Sequence, residues 1–525
     1  RLAMEEPAAD EASVVAVRPR PGESDHVDDI SQEEFVRFGV AEDISGCAKL
    51  GFSVGHFYND LCASMWFTYL MIFLEKILLF KSGLAGFLML IGQVTDAVCT
   101  PLIGIASDSA ILPEFVNRIG RRISWHAIGT ICVTISFPFI FNQCLLCTDS
   151  TGEVWRVLWF IPPIMIFQFG WASVQISHLA LIPELSHVDS SRRTMNSLRY
   201  GFTVLANVSV FVVLMYLLRG CPDKEKGLNP EDIAHFRLAG FLVVGAGLLS
   251  CIPFYCTTRE PPQARSYSRL NSYTSQASQL SRMHWTSWFG HLQFYQIALL
   301  YMLARLYMNI SQVYMPFYIT ITQNLEKTLV AVVPMISFLS SFIISTLFSI
   351  PFLNRMINKK LLYVTGLITG LANCTWMYFP LHGWWIYGVA VVLGVAQSIL
   401  LVTSLDITAD LINRNTESGA FVYGAMSFMD KLANGVAYQL IELINPGCDS
   451  SSPAEICPSF YRSIMVYIPA VCLLLSLVVL ISLLPSDIGL RRRRRIQPDD
   501  VVAILQEESE NQEALEQNAN LQNTN

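Results

Sequence analysis

Read from its first residue, the chain runs 46 residues without an apolar stretch, and then the pattern changes. From residue 48 onward, long apolar runs alternate with short polar punctuation. A helix needs about twenty apolar residues to cross a bilayer. Twelve runs are of that order, near 48–75, 84–108, 122–143, 155–184, 194–218, 236–257, 292–320, 328–351, 360–380, 384–412, 418–444 and 462–486. The pattern therefore predicts an all-α membrane protein with twelve transmembrane helices. The first and fourth runs are long and are read as tilted or overestimated. The polar stretches divide the chain into an acidic cytosolic tail over 1–46, a six-helix bundle over 47–257, a cytosolic linker over 258–291, a second six-helix bundle over 292–487, and a tail over 488–525. Both tails lack the apolar residues a packed core needs and are expected to be disordered. The opening residues show no run of the kind that reads as a secretory leader.

Loop charge sets the expected orientation. With the N-terminus cytosolic, Arg118, Arg121, Arg122, Arg192, Arg193, Arg259, Arg265, Arg269, Arg282, Arg355, Lys359 and Lys360 all fall inside, as does the run 491–495. The opposite loops hold scattered cations such as Lys76, Lys81, Lys224, Lys226 and Lys327. Both termini are thus expected in the cytosol. Two sets of six spans about one polar loop suggest a parallel pseudo-repeat. A faint echo supports it: Glu184 near the end of span 4 and Asp410 near the end of span 10 each stand one residue before a leucine.

Composition agrees with a membrane protein. Hydrophobic residues are 52% and charged residues 15%, with a mean hydropathy of +0.42, against about 25% charged residues in soluble domains. The net charge of −7 gives no reason to expect nucleic acid. The thirteen cysteines lack zinc spacing, so no metal and no cofactor is expected. On the chosen orientation Cys144, Cys147, Cys221, Cys448 and Cys457 lie on the non-cytosolic side. Cys448 and Cys457 share one loop and form a disulfide if that side is oxidising.

Charges inside the spans mark candidate sites, because each costs a few kcal/mol at bilayer depth. Asp60 lies deep in span 1, with His56 four residues before it on the same face. Asp96 lies deep in span 2, with Thr100 one turn on. Span 4 carries the stripe Gln168, Trp171, Gln175 and His178, with Trp171 read as packing. Span 7 carries Arg305, Asn309 and Gln312 on one face. Asp406 and Asp410 lie in span 10, and Asp430, Lys431 and Asn434 in span 11. Acids and bases from both halves fit a central cavity. An excess of acid leaves room for a proton, another cation or a cationic group on the substrate. The planar fork of Arg305 suits a carboxylate. Asp60, Arg305, Asn309, Gln175 and Asp430 are the substrate-binding candidates, and Asp96, Thr100, Lys431 and His56 the coupling candidates.

The pattern Asp96-Ala97 to Pro101, Gly104 and Asp108 resembles the glycoside–pentoside–hexuronide cation symporters of the major facilitator superfamily. So do Leu181-Ile182-Pro183-Glu184-Leu185 with Arg199 downstream, and the stretch from Asp410 to Lys431. The resemblance implies the two-bundle facilitator fold. It also implies a cytosolic gate at Gly104, Asp108, Arg121, Arg122 and Asp410, where a glycine permits close approach and charges latch the cytosolic side. Thr100, where those symporters carry an acid, argues against sodium-coupled sugar transport and leaves a proton, or the substrate gradient alone, as the candidate driving force.

A longer set, including Gly55-His56-Phe57-Tyr58-Asn59-Asp60, Phe167-Gln168-Phe169-Gly170-Trp171 and Ser418 to Lys431, resembles an animal group of facilitators of lysosomes and melanosomes. That resemblance implies movement of cysteine, or a similar amino acid, from cytosol to lumen, with influence on pigmentation. Tyr267 to Leu270 fits a tyrosine-based sorting signal for clathrin adaptors, and the basic run 491–495 suits anionic membrane lipid. A lysolipid carrier and a non-transporting scaffold or sensor are the rival readings. No nucleophile and base set is visible, so an enzyme is not expected.

Overall fold

A computed structural model describes residues 44–108, 112–113, 116, 119–148, 150–186, 189–219, 228–260, 285–348, 358–381, 383–412, 419–447, 455–485 and 488. Thirteen α-helices lie among the described residues: α1 Gly46–Val54, α2 Phe57–Ile72, α3 Ser82–Asp108, α4 Arg121–Ile140, α5 Glu153–Leu185, α6 Asp189–Arg219, α7 Ile233–Thr257, α8 Leu292–Phe317, α9 Leu329–Phe348, α10 Lys359–Tyr378, α11 Trp385–Ile412, α12 Gly419–Leu443 and α13 Ile456–Leu483. Every regular element among the described residues is helical, and α1 and α2 together make the first span. The ends fall near the expected ones, except that α13 starts at Ile456 rather than 462. Eight helices are apolar and long enough to cross a membrane on those grounds alone: α3, α4, α5, α6, α7, α9, α11 and α13. Of the other spans, α1–α2, α8 and α12 carry Asp60, Arg305 and the Asp430–Lys431 pair. The first span falls short in length, since its longer piece, α2, has 16 residues.

The first span is not one continuous helix. It breaks at Gly55 and His56, where α1 gives way to α2. A break inside a membrane frees carbonyls, and each needs a donor. Phe52 O accepts from the Gly55 backbone N–H at 2.9 Å and also from His178 Nε2 of α5 at 2.8 Å, and Gly55 O accepts from His126 Nε2 of α4 at 3.1 Å. A carbonyl only accepts, so both imidazoles carry their proton on Nε2. These two histidines are therefore structural. The chain turns here because Phe254 of α7 sits against Gly55, where a side chain would collide with its ring.

The pairing of helices repeats. In the first six spans α3 packs on α5, α4 on α5, α2 on α6 and α7, and α4 on α7. In the last six α9 packs on α11, α10 on α11, α8 on α12 and α13, and α10 on α13. Each contact has its counterpart six spans later. The halves meet through α3 with α12, α6 with α9, and α2 with α8. α2 and α8 also end alike, each in a π turn, Phe73–Ile77 and Tyr318–Thr322. In both, the same two hydrogen bonds close the turn: Leu78 N to Phe73 O and Phe80 N to Leu74 O, then Gln323 N to Tyr318 O and Leu325 N to Ile319 O. Two residues past each π turn, Leu79 and Asn324 adopt positive φ, 57° and 50°.

Each half also carries one matching ion pair. Arg122 Nε at the start of α4 meets Glu184 Oε1 near the end of α5 at 2.6 Å. Lys359 Nζ at the start of α10 meets both oxygens of Asp410 near the end of α11 at 2.8 Å. The two acids whose sequence echo hinted at a repeat thus do the same work in each half.

On the opposite side, Cys144 and Cys147 are joined in a disulfide, so this CxxC holds a covalent link rather than a metal. Cys457 is also disulfide-bonded; Cys448 lies outside the described residues, as do Tyr267 and Leu270 of the sorting pattern.

α4 and α5 cross at their closest through glycines. A Cβ at Gly170 would come 2.8 Å from Gly129 O, and Ser173 Oγ donates to Trp125 O at 2.7 Å in the same seam. Small residues allow such approach between membrane helices. Gly170→Val is therefore expected to force the helices apart and cost about 1–3 kcal/mol. Thermal unfolding of the purified protein in detergent checks this, with a lowered midpoint as the expected result.

Candidate functional site

α3 and α12 build the centre. On α3, Gln93, Asp96 and Thr100 share one face at helical spacing. On α12, Asp430 and Lys431 are adjacent and point apart, so they go to different partners. Lys431 Nζ reaches across to the other half, 2.6 Å from Asp96 Oδ1 and 2.7 Å from Thr100 Oγ1. Thr100 Oγ1 in turn donates to Asp96 Oδ1 at 3.1 Å. Asp96 is 1% exposed, and its second oxygen, Oδ2, is buried without a donor. Lys431 also lies over the Trp171 ring, 5.8 Å from its centroid. Trp171 thus does more than pack: its face adds cation–π attraction to the ion pair, and its carbonyl accepts from Asn59 Nδ2 at 3.3 Å.

Asp430 turns to α8. Its Oδ2 takes Arg305 Nε at 3.1 Å, and its Oδ1 takes Asn434 Nδ2 at 2.6 Å. Both oxygens are occupied, so Asp430 positions Arg305. Arg305 uses one of its nitrogens on this bond. Its side chain is 26% exposed, far more than its 5% exposed partner. Arg305 is thus held on one edge and only half-buried as a side chain. Asn309, one turn on, is buried and makes no side-chain hydrogen bond.

Asp60 heads α2 and is held within the first half. Thr203 Oγ1 of α6 donates to Oδ2 at 2.7 Å, and His56 Nδ1 lies 3.0 Å from Oδ1. The Arg199 charge acts on it from the same helix as Thr203. Asn59 links this group to the Trp171 backbone and thence to Lys431. Asp60, Asp96 and Arg305 are thus each paired, and a run of contacts through His56, Asn59 and Trp171 connects Asp60 to the Asp96–Lys431 pair, with Asp430 next to Lys431 on α12 and bonded to Arg305 of α8. Gln175 leaves Oε1 buried and unbonded, and Gln168 leaves both amide atoms so. Asp406 does not join the centre. It is half-buried, one turn from Asp410, and feels Lys359.

The gate candidates sit at the far end. Arg121 Nη2 stands 4.0 Å from Glu184 and Arg122 2.6 Å. Glu260, just past α7, accepts from the backbone N–H of Arg122 at 2.8 Å and of Ile123 at 3.4 Å, and so caps α4. Burial pushes the Glu260 carboxyl up from the usual range, and the Arg122 N–H draws it back. The ion pairs of Arg122 and of Asp410 each stay within one half. A Cβ at Gly104 would meet nothing within 4 Å, so no close approach uses this glycine in the present conformation. Asp108 ends α3, and its side chain lies outside the described set.

The sequence pattern of the MFS/sugar transport protein family matches residues 51–485. The chain belongs to this family. It is 41% identical to major facilitator superfamily domain-containing protein 12 of Mus musculus over 467 residues, 87% of this chain and 97% of that one. It is 41% identical to the Homo sapiens protein of the same name over 462 residues, 86% of this chain and 95% of that one. In structure it resembles the partially occluded inward-open xylose transporter XylE from E. coli, with a TM-score of 0.56, 15% identity, and coverage of 84% and 98% of the two chains. That likeness is one of fold. As a family member the protein is a multi-pass membrane transporter, and its centre lies among the helices that join the halves.

Some polar groups escaped sequence reasoning: Thr203 of span 5, and Glu75 and Glu442, which apolar residues flank closely, were not singled out.

The central pair yields a direct test. Lys431→Met leaves Asp96 charged and buried beside Thr100 alone, which is expected to cost about 3–5 kcal/mol. The double variant Asp96→Asn with Lys431→Met is expected to recover most of the loss. Thermal unfolding of the four proteins in detergent measures it; an unmoved Lys431→Met midpoint would mean the pair holds nothing together.

Proposed function

We propose that the protein is a secondary transporter that moves cysteine, or a closely similar amino acid, from the cytosol into the lumen of lysosomes and melanosomes by alternating access, and so influences pigmentation. The cargo and the organelles rest on the resemblance to the animal lysosomal and melanosomal facilitators. Both termini are then cytosolic, clathrin adaptors read the Tyr267–Leu270 segment, and membrane lipids surround the helices.

One observation carries the chemistry. Arg305 is anchored through Nε by Asp430, and its side chain is 26% exposed against 5% for its partner. An anchored guanidinium fork suits the carboxylate of an amino acid. Asp60, held by Thr203 and His56, supplies negative charge for an ammonium group. Asn309 and Gln175 offer neutral polar contacts between them.

The coupling ion follows from Asp96. The ammonium of Lys431 stands against Asp96 and Thr100, in the space a bound sodium ion would need. The protein supplies that positive charge itself. This supports a proton, or the substrate gradient alone, as the driving force. The pattern of closure supports a cytosol-facing state. At the end formed by the π turns, Tyr69 OH donates to Val330 O at 3.4 Å and Lys327 Nζ to Asp232 Oδ1 at 3.0 Å, both across the halves. At the other end, Tyr200 OH and Ser345 Oγ stand 3.1 Å apart across the halves, whereas the Arg122–Glu184 and Lys359–Asp410 pairs each stay within one half.

Uptake of radiolabelled cysteine into vesicles tests the reading. Arg305→Ala removes a charged hydrogen-bond partner worth about 1.5–3 kcal/mol, so KM is expected to rise about tenfold or more. Arg305→Lys, which keeps the charge and loses the fork, is expected to fall between. An unchanged KM in Arg305→Ala would remove the carboxylate clamp.

A further inference from the structure

Where α2 and α8 finish, the two halves are joined by a polar cluster that includes none of the substrate or gate residues. Glu75 lies in the π turn that closes α2, and Glu442 lies in the last turn of α12. They are 6% and 2% exposed. Each carboxyl feels the charge of the other, and Tyr461 and Asn445 bridge the two. Tyr461 OH of α13 donates to Glu75 Oε2 at 3.1 Å. Tyr314 OH of α8 donates to Glu442 Oε1 at 2.7 Å, and Asn445 Nδ2 to Glu442 Oε2 at 2.8 Å. Asn445 also bonds the Tyr461 hydroxyl at 3.2 Å and so ties the group together. Three of the four carboxyl oxygens have donors. The fourth, Glu75 Oε1, is buried with none.

Two carboxylates in contact and out of water repel each other, and a single proton turns that repulsion into a hydrogen bond. A protonated carboxyl is itself a donor, which is what the cluster lacks. The charged neighbours do not supply a substitute. Lys76, on the same turn, acts on Glu75 through its charge. From the 3-10 turn packed against the π turn, Asp232 is engaged by Lys327 at 3.0 Å and has His235 at 3.6 Å. From α13, Arg462 acts on Tyr318. Glu75 belongs to the first half, and Glu442, Tyr314, Asn445 and Tyr461 to the second, so the contact is a seam that must part if this end opens.

We propose that Glu75 and Glu442 form a proton-binding site shared between the halves, and that its occupancy holds this end of the transporter shut. One proton from water enters, one O–H···O bond forms between the carboxyls, and no other covalent bond changes. When the proton leaves, two like charges face each other and the seam parts. The alternating-access reading above supplies the side: this end faces the lumen, so an acidic lumen provides the ligand directly.

The test uses full-length protein in lipid nanodiscs, through a pH titration without substrate. Infrared difference spectra are expected to show a protonated-carboxyl stretch that disappears as pH rises and is missing in Glu75→Gln and in Glu442→Gln. Hydrogen exchange over 73–80 and 438–446, corrected for intrinsic rates, is expected to increase with pH in the wild type. It is expected to stay low at every pH in Glu442→Gln, whose amide keeps an acceptor for Tyr314 and adds a donor. If that variant does not fold, Glu75→Gln carries the same comparison. Amide variants that open with the wild-type pH midpoint, or a carboxyl band that neither substitution removes, would overturn the site. Cysteine uptake measured in parallel separates the two readings. A wild-type seam that ignores pH overturns the proton site and leaves the cargo standing. A seam that titrates in a protein that carries no cysteine does the reverse.

Discussion

Out of water, a charge persists only beside an opposite charge, and here that rule joins the two halves of the molecule. Asp96 is almost wholly buried, and the cation that stabilises it comes from the other half. α3 and α12 are consequently held together near the depth where a substrate would bind. Trp171 and Thr100 complete the surroundings of the ammonium, one by its ring face and one by its hydroxyl. The neighbouring residue Asp430 uses the same helix to fix Arg305 from the opposite direction. One turn of α12 thus organises two ion pairs, one between halves and one within the second half.

The frame is symmetric and the centre is not. Helix contacts, π turns and end-of-helix ion pairs recur six spans apart. Such a frame suits two rigid bodies that rock about a common axis. At the centre, the first half offers a carboxylate with a histidine and a threonine, whereas the second offers a guanidinium with its own counter-ion.

The broken first span shows how polar groups in a membrane divide between structure and site. His126 and His178 both lie within their spans and are buried. Their Nε2 protons go to carbonyls released where α1 ends. His56 is the exception, since its Nδ1 faces Asp60. Each buried imidazole is accounted for by the acceptor it meets, and depth by itself does not assign a role.

Local composition alone carried the twelve spans, their approximate ends and the choice of Asp60, Asp96, Arg305 and Lys431, because a charge within an apolar run is rare and costly wherever the helix goes. Helical spacing also placed Asp96 with Thr100 and Arg305 with Asn309. Which charge meets which was beyond it. Lys431 pairs with Asp96 across 335 positions of chain, and Asp430 with Arg305 across 125, and nothing in the intervening residues encodes those distances. The π turns were equally hidden, since Phe73–Ile77 and Tyr318–Thr322 share no obvious sequence and are alike only because each ends a helix at the same place in a repeated frame. The Glu75–Glu442 contact joins the ends of two spans that read, one at a time, as ordinary termini. A span's identity is a property of its own residues, whereas a pair's identity depends on where two spans cross, and only the packed bundle decides that.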